Sequence, residues 1–327
     1  MKSGLSRFTF YINQINDLLI KARDQEDPAI WLYKNNARTP FFMLEALAKV
    51  YAEMHNPKMF GKLKEHFKLI EDGIGEIDYY DSLLNSFAAN KIIPAECTQF
   101  IKNRLDESAA YLNKVLADKE WLSNDLLRTR KITRKLKKAD WMKQGKEVEA
   151  IIAFYKLSID SISRFVAKTN FSFDNVEEDV HELRRKLRWL SIYPQAFQGT
   201  IQYSKGLKPG AHLKKYMTKE IVSSPYNVFP PAGNNNYIVL INKNYFFALS
   251  WLIAQLGKLK DEGLLLTGFC ESLKSGSSLN DEELMKKAES ILGSNQRKMQ
   301  EILDDAEAIT ITFFKEKNLQ YLISKTL

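Results

Sequence analysis

The chain has 327 residues, 45% hydrophobic and 27% charged, with only 14 Gly and 9 Pro; this excludes a disordered or collagen-like polymer and leaves enough chain for a large core or two ordinary domains. Two cysteines, Cys97 and Cys270, with no CxxC and no Cys/His neighbours, exclude a disulfide framework and a cysteine zinc site, and fit a reducing cytoplasm. The net charge is +8, and between Leu126 and Lys146 nine basic residues stand against one acid, Asp140, so this one segment supplies the whole excess.

Sparse Gly and Pro with abundant Leu, Lys, Glu, Ala and Ile favour helices. At the amino terminus, Lys2 and Arg7 are followed by Asn13, Gln14, Asn16 and Asp17, which interrupt the apolar core a signal peptide needs. Phe8, Ile12, Ile15 and Leu19 keep helical 3-4 spacing, and Asp27-Pro28 reads as an N-cap followed by Pro at the first helical position. Thr39-Pro40 precedes Phe41, Leu44, Ala48 and Tyr51, which predicts either a kink or a new helix there. Asn56-Pro57 closes that helix, and periodic stretches over roughly 58 to 72, 76 to 90 and 94 to 119 predict three more.

Next comes the basic segment, Arg128 to Lys138, with only Ile132 and Leu136 as an apolar face. It is either a helix facing an anionic partner or a solvated connector, with too little apolar surface to hold a membrane and no interleaved aromatics to stack on nucleic-acid bases. Val148, Ile151, Ile152, Tyr155 and Ile159 restart the helical pattern.

The segment Val180 to Leu190 splits into two stripes at 100° per residue. Val180, Leu183, Leu187 and Leu190 form a buried seam; His181, Arg184, Arg185 and Arg188 fall on a neighbouring arc as a compact row of cationic donors. Guanidinium forks match phosphate oxygens in bidentate fashion, so such a row suits a phosphate-rich anion; the competing reading is a solvated face bridged to Glu178 and Glu182. His181 has no second His at helical ligand spacing and reads as a hydrogen-bonded structural group, not a metal ligand.

From Ser204 to Asn244 the chain is turn-rich (Lys205-Gly206, Pro209-Gly210, Ser223-Ser224-Pro225, Pro230-Pro231, Gly233 to Asn236), with one short helix expected over Ala211 to Val222 and one strand over Tyr237 to Ile241. A loop this long in a helical protein is functional or mobile. Helices are expected again over 243 to 259, 261 to 274, 280 to 293 and 295 to 324. The most apolar run, Tyr245 to Leu256, is too short to span a bilayer, so the protein is expected to be soluble and cytoplasmic. Trp121, Trp141, Trp189 and Trp251 are expected to fill cores.

The order of signals repeats between the halves: Arg38 then Gly75, His181 and Arg184 then Gly257 and Asp261. On these residues the chain resembles the CHAD family, the conserved-histidine α-helical domain, whose pattern is a His-x-x-Arg helix with further arginines followed by a Leu-Gly-x-x-x-Asp element, given twice. His181, Arg184 and Arg188 match the first element in the second half, and Gly257 and Asp261 the second element. In the first half Arg38 and Gly75 match, and Asp81 is near a family acidic position. The chain departs from the pattern at Asn35, which takes the histidine position, and at Phe42, Met43, Glu45, Trp189 and Ser191, which stand where the family places basic residues. The resemblance implies two pseudo-symmetric four-helix bundles whose basic helices line a channel that binds inorganic polyphosphate. Gly75 and Gly257 would permit close helix packing or end a helix, and Asp261 would cap the following one or hold an arginine in place.

No HExxH, Gly-rich phosphate loop or GxSxG is present, and the triphosphate-processing barrel that often accompanies the family has no counterpart. The expectation is therefore an all-α, CHAD-like protein of two pseudo-symmetric four-helix-type bundles, 1–138 and 139–327, with a basic connector over 126–146 and an irregular insertion over 204–244. It is expected to be no enzyme and to use no cofactor or metal. It is expected to bind polyphosphate or a similar polyanion in a groove between the bundles through His181, Arg184, Arg185 and Arg188, with Arg38, Arg130 and Arg134. The alternative is a helical scaffold that has lost this site and binds another protein through 204–244. Neither reading involves a membrane, and nucleic acid is not expected.

Overall fold

The computed structural model describes residues 2–204, 208–275, 277–293 and 296–323. The expected turn at Lys205-Gly206 and both ends of the helix expected over 295 to 324 lie outside these residues. Helices make up 75% of the structure, with two short strands among the described residues, so the fold is all-α. No helix among the described residues is long and apolar enough to cross a membrane. The chain divides into two compact units, Met1–Lys143 with Gly268–Leu284, and Gln144–Thr267 with Met285–Leu327.

The first unit contains α1 (Ser3–Arg23), α2 (Pro28–Lys34), α3 (Arg38–Met54), α4 (Pro57–Ala89), α5 (Ala95–Asp118) and α6 (Leu127–Lys137). The Asp27 and Asn56 side chains cap α2 and α4 by accepting from the Ile30 and Met59 amides, each with Pro at the first helical position. At Thr39-Pro40 a new helix begins: Pro40 lies in the first turn of α3, where its missing N–H has no cost. The two helices expected over 58 to 72 and 76 to 90 form one, α4, of 33 residues. Its internal glycines do not end it but admit neighbours: a Cβ on Gly73 would lie 2.9 Å from Leu112 of α5, and one on Gly75 would lie 2.6 Å from the Arg38 guanidinium.

α6 is held to this unit at one edge. Thr129, Ile132 and Leu136 are buried, and the Trp141 indole donates to the Leu136 carbonyl at 2.9 Å. Trp141 itself sits among Phe8, Tyr51 and Phe60, with ring centroids 5.2 to 5.9 Å away, over a glycine, Gly4, that leaves room for it. At the start of α6 the Ser123 hydroxyl accepts from the Leu127 amide at 2.7 Å, replacing a side-chain N-cap.

The second unit contains α7 (Gln144–Lys168), a π-helical turn (Val176–His181), α8 (Glu182–Ala196), β1 (Ile201–Tyr203), α9 (Lys219–Val222), β2 (Val239–Ile241), most of α10 (Lys243–Lys274) and of α11 (Asp281–Leu292), and α12 (Met299–Lys315). Val180, Leu183, Leu187 and Leu190 are completely buried, as the seam on this helix requires. Pro194 sits inside α8, and the Leu190 carbonyl that its missing amide would have bonded accepts from the buried Tyr155 hydroxyl at 3.1 Å. Trp121 and Trp141 are buried; Trp189 and Trp251 are half-buried against Tyr193 and Tyr216.

Residues 243 to 274 form the single helix α10, so Asp261 is a mid-helix residue paired with Lys260 at 2.7 Å and caps nothing. The single helix expected over Ala211 to Val222 is two, a 3-10 turn (Ala211–Tyr216) and α9. β2 is two residues shorter than expected and pairs in parallel with β1, Ile201 opposite Val239, a strand too short to leave a periodic signal. The insertion is thus closed at its base by a parallel strand pair. It is further tied down by the Lys215 and Tyr216 side chains on Glu316 at 2.5 and 2.6 Å, and by Asn227, whose side-chain carbonyl accepts from Ser250 at 2.8 Å.

Candidate functional site

Of the seven residues expected to bind an anion, Arg38, Arg130 and Arg134 belong to the first unit, and His181, Arg184, Arg185 and Arg188 to the second.

Arg38 opens α3 and lies along α4. Its Nε donates to Glu71 Oε1 at 2.7 Å and its Nη1 to Asp78 Oδ2 at 2.9 Å, with Gly75 between them providing the clearance. Glu71, Gly75 and Asp78 are spaced four and three residues apart, so they share one face of α4. One turn further, Asp81 accepts from the Tyr33 hydroxyl at 2.8 Å; burial, and next this bond, push the Tyr33 phenol pKa up. Glu45, at a position where the family pattern has arginine, is 5% exposed; burial, and next the neighbouring Glu71 charge, raise its pKa to about 7. Asn35 returns its side-chain amide to the Trp31 carbonyl at 2.8 Å and terminates α2. The surroundings of Arg38 are therefore carboxylate-rich.

On the π-helical turn and α8, the arc of four cations is differently arranged. His181 Nδ1 is 2.9 Å from Glu177 Oε1, and this bond holds the Glu177 carboxyl below its ordinary pKa. Arg185 pairs with Glu182, which also takes Lys186 at 2.9 Å. Glu177, Glu178, His181, Glu182 and Arg185 line a depression of about 300 Å³, so its rim carries three carboxylates to one guanidinium and one imidazole. Arg184 turns onto α10: its Nε donates to the Ile253 carbonyl at 3.3 Å, and its guanidinium passes Gly257, where a Cβ would lie 3.0 Å from Nε. Arg188 is half-buried. A guanidinium seated on a helix glycine thus occurs in each unit, Arg38 on Gly75 and Arg184 on Gly257.

The third cationic surface is α6. Arg130 pairs with Asp125 at 2.5 Å and Lys131 with Glu120 at 2.6 Å. Arg134, Lys135, Lys137 and Lys138 are exposed and have no carboxylate partner among the described residues. Arg128 is fixed by donation from Nε to the Lys119 carbonyl at the end of α5, 2.7 Å away. Beside it, half-buried His66 of α4 is held below its ordinary pKa, first by burial and then by the charges of Arg128 and Lys135, with Lys119 adding to them.

Of the expected residues on α6, Arg134 is thus without a carboxylate partner, and the charges that act on His66 come from Lys119, Arg128 and Lys135, which are outside the expected set. The charge run in the sequence pointed to α6, but nothing in the spacing of His66 places it against that helix. Among the described residues no group of three or more His, Cys, Asp or Glu side chains could hold a metal ion. Searches with this chain match no protein-family model, no curated protein and no solved structure.

Proposed function

We propose that this protein is a non-enzymatic binder of inorganic polyphosphate or a similar polyanion, with α6 as its principal contact. The observation that carries the reading is the distribution of partners. Arg38, Arg130, His181 and Arg185 are matched by carboxylates, whereas the outer face of α6 exposes Arg134, Lys137 and Lys138, with Lys135 on its flank, and the helix itself carries no acid. An anion arriving at Arg38 or at the π-helical turn must displace a bonded carboxylate; at Arg134, Lys135, Lys137 and Lys138 it displaces only water and counterions. The Arg-on-Gly seat found once in each unit supports a repeat of the CHAD-like kind, in two pseudo-symmetric bundles. Two cysteines that form no disulfide fit a cytoplasmic setting.

Titration of the full chain with fluorescently labelled long-chain polyphosphate tests the reading. Tight binding at low salt, falling on the order of 100-fold between about 50 and 200 mM for four contacts, is expected. Arg134→Ala with Lys135→Ala and Lys137→Ala abolishes most of it, while Arg184→Ala with Arg188→Ala changes it little; the reverse order would move the site to α8. A second reading, a helical scaffold that binds another protein through 204–244, is favoured by the exposure of Val222, Tyr226, Val228 and Tyr237 on that insertion. It predicts no affinity for polyphosphate at any salt concentration.

A further inference from the structure

We propose that the turn 221–228 of the insertion is the centre of a twofold contact between two copies of this chain. The inference names a partner for the surface of the second reading and rests on it; it is independent of the polyanion reading. Hydrogen bonds build the turn around one side chain. Asn227 is 7% exposed, and all four of its polar groups are engaged: its amide donates to the Ser224 carbonyl at 3.0 Å, its carbonyl accepts from the Tyr203 hydroxyl at 2.9 Å, Nδ2 donates to the Ile221 carbonyl at 2.8 Å, and Oδ1 accepts from the Ser250 hydroxyl at 2.8 Å. The turn is thereby tied to β1 and α10, and the Val228 amide closes it on the Pro225 carbonyl at 3.2 Å. Ile221 and Asn227 are buried, and the bond between them brings their chain neighbours Val222, Tyr226 and Val228 together on the outside, 52%, 80% and 67% exposed.

Apolar side chains held outward by a bonded turn cannot fold back onto the core, and Tyr is a residue type that carries much of the binding energy where proteins meet. Charge decides the partner. No charged residue occurs over 222–242, the longest such run in a chain that is 27% charged with a net charge of +8. In a twofold contact the same patch lies on both sides, so a charge near the axis faces its own like. A strongly charged partner finds nothing to pair with on this turn, whereas a second copy, repelled by the net charge elsewhere, meets it there without that cost. The nearest charges along the chain, Lys219 and Glu220, are of opposite sign, and Glu220 is paired with Lys258 at 3.6 Å. Three side chains make the centre of an interface and not its whole area, so the dimer is expected to be weak and reversible, with a Kd of about 10 to 100 µM.

The test is sedimentation velocity of the full chain without any polyanion, from about 1 to 300 µM protein and at about 50 and 300 mM salt. The expected result is a reversible monomer–dimer transition that does not weaken at the higher salt, because screening relieves the repulsion between two chains of net charge +8; affinity for a polyanion changes with salt in the opposite direction. Tyr226→Lys and, separately, Val228→Lys set like charges against each other across the axis and are expected to weaken the dimer about 10-fold or more. Leu157→Lys, at a side chain 63% exposed on α7, is expected to leave it unchanged. All three side chains are exposed, so the monomer fold is kept. A wild-type chain that stays monomeric at the highest concentration overturns the proposal, and leaves 204–244 as a surface for a different protein and the polyanion reading as it stands. A dimer that neither turn variant weakens, that Leu157→Lys weakens equally, or that dissociates at the higher salt overturns it as well.

Discussion

Two buried polar side chains show how much of this molecule's behaviour is decided at single residues. Glu45 is buried beside Glu71, and the fold holds its carboxyl at a pKa of about 7 against an ordinary 4.5. A raised carboxyl pKa means that the folded state keeps a proton the unfolded chain releases. The stability this group contributes is complete below about pH 4.5 and is lost as pH rises to 7, a change of about 3 kcal/mol. Glu45→Gln is therefore expected to leave urea stability near wild type at pH 4.5 and to raise it by about 2 to 3 kcal/mol at pH 8; equal effects at both pH values would show that the carboxyl is ionised throughout. Tyr155 is the second case, since its hydroxyl serves the Leu190 carbonyl left without a donor by Pro194. Tyr155→Phe is expected to cost about 1 to 3 kcal/mol. In a double-mutant cycle the cost shrinks when Pro194→Ala returns a backbone amide to that carbonyl, and strict additivity would mean that the two residues are not coupled.

Among the elements, α6 is the one whose role depends on a narrow anchor. Ile132, Leu136 and Thr129 are its buried edge, and the Leu136 carbonyl also holds the Trp141 indole. Leu136→Ala is expected to cost about 2 to 5 kcal/mol and to speed hydrogen exchange of the α6 amides before those of α3 and α4; uniform acceleration through the unit would argue that the helix is no separate element. That anchor was legible in the sequence, because Ile132 and Leu136 are the apolar residues of the charge run. So were the buried seam of Val180, Leu183, Leu187 and Leu190, the capped starts of α2 and α4, and the beginning of a helix at Thr39-Pro40. The merging of helices at Gly75 and Asp261 was not legible, since a glycine inside a helix reads the same whether it ends the helix or makes room for a guanidinium, and only the neighbour decides. β1 was invisible for a related reason: three residues carry no period, and its partner β2 is distant in sequence. The carboxylates on His181 and Arg185 lie one turn away along the chain, so their presence could be read; those on Arg38 come from α4, 33 and 40 residues further on, and could not. His66 carried no local signal at all, because its cationic neighbours come from two other helices.

At the scale of the whole molecule, the surplus of positive charge is confined to one segment, and at physiological ionic strength its field is screened beyond about 8 Å. Arg38 on α3 and Arg185 and Lys186 on α8 are paired with carboxylates, so in the proposed reading the attraction for an anion comes from α6. The most direct measurement of that claim is the salt dependence of polyphosphate affinity, taken for the wild-type chain and for a variant with Arg134, Lys135, Lys137 and Lys138 all changed to Ala. With α6 as the contact, the slope of log affinity against log salt falls by about 3 in the variant; an unchanged slope and affinity would contradict the account.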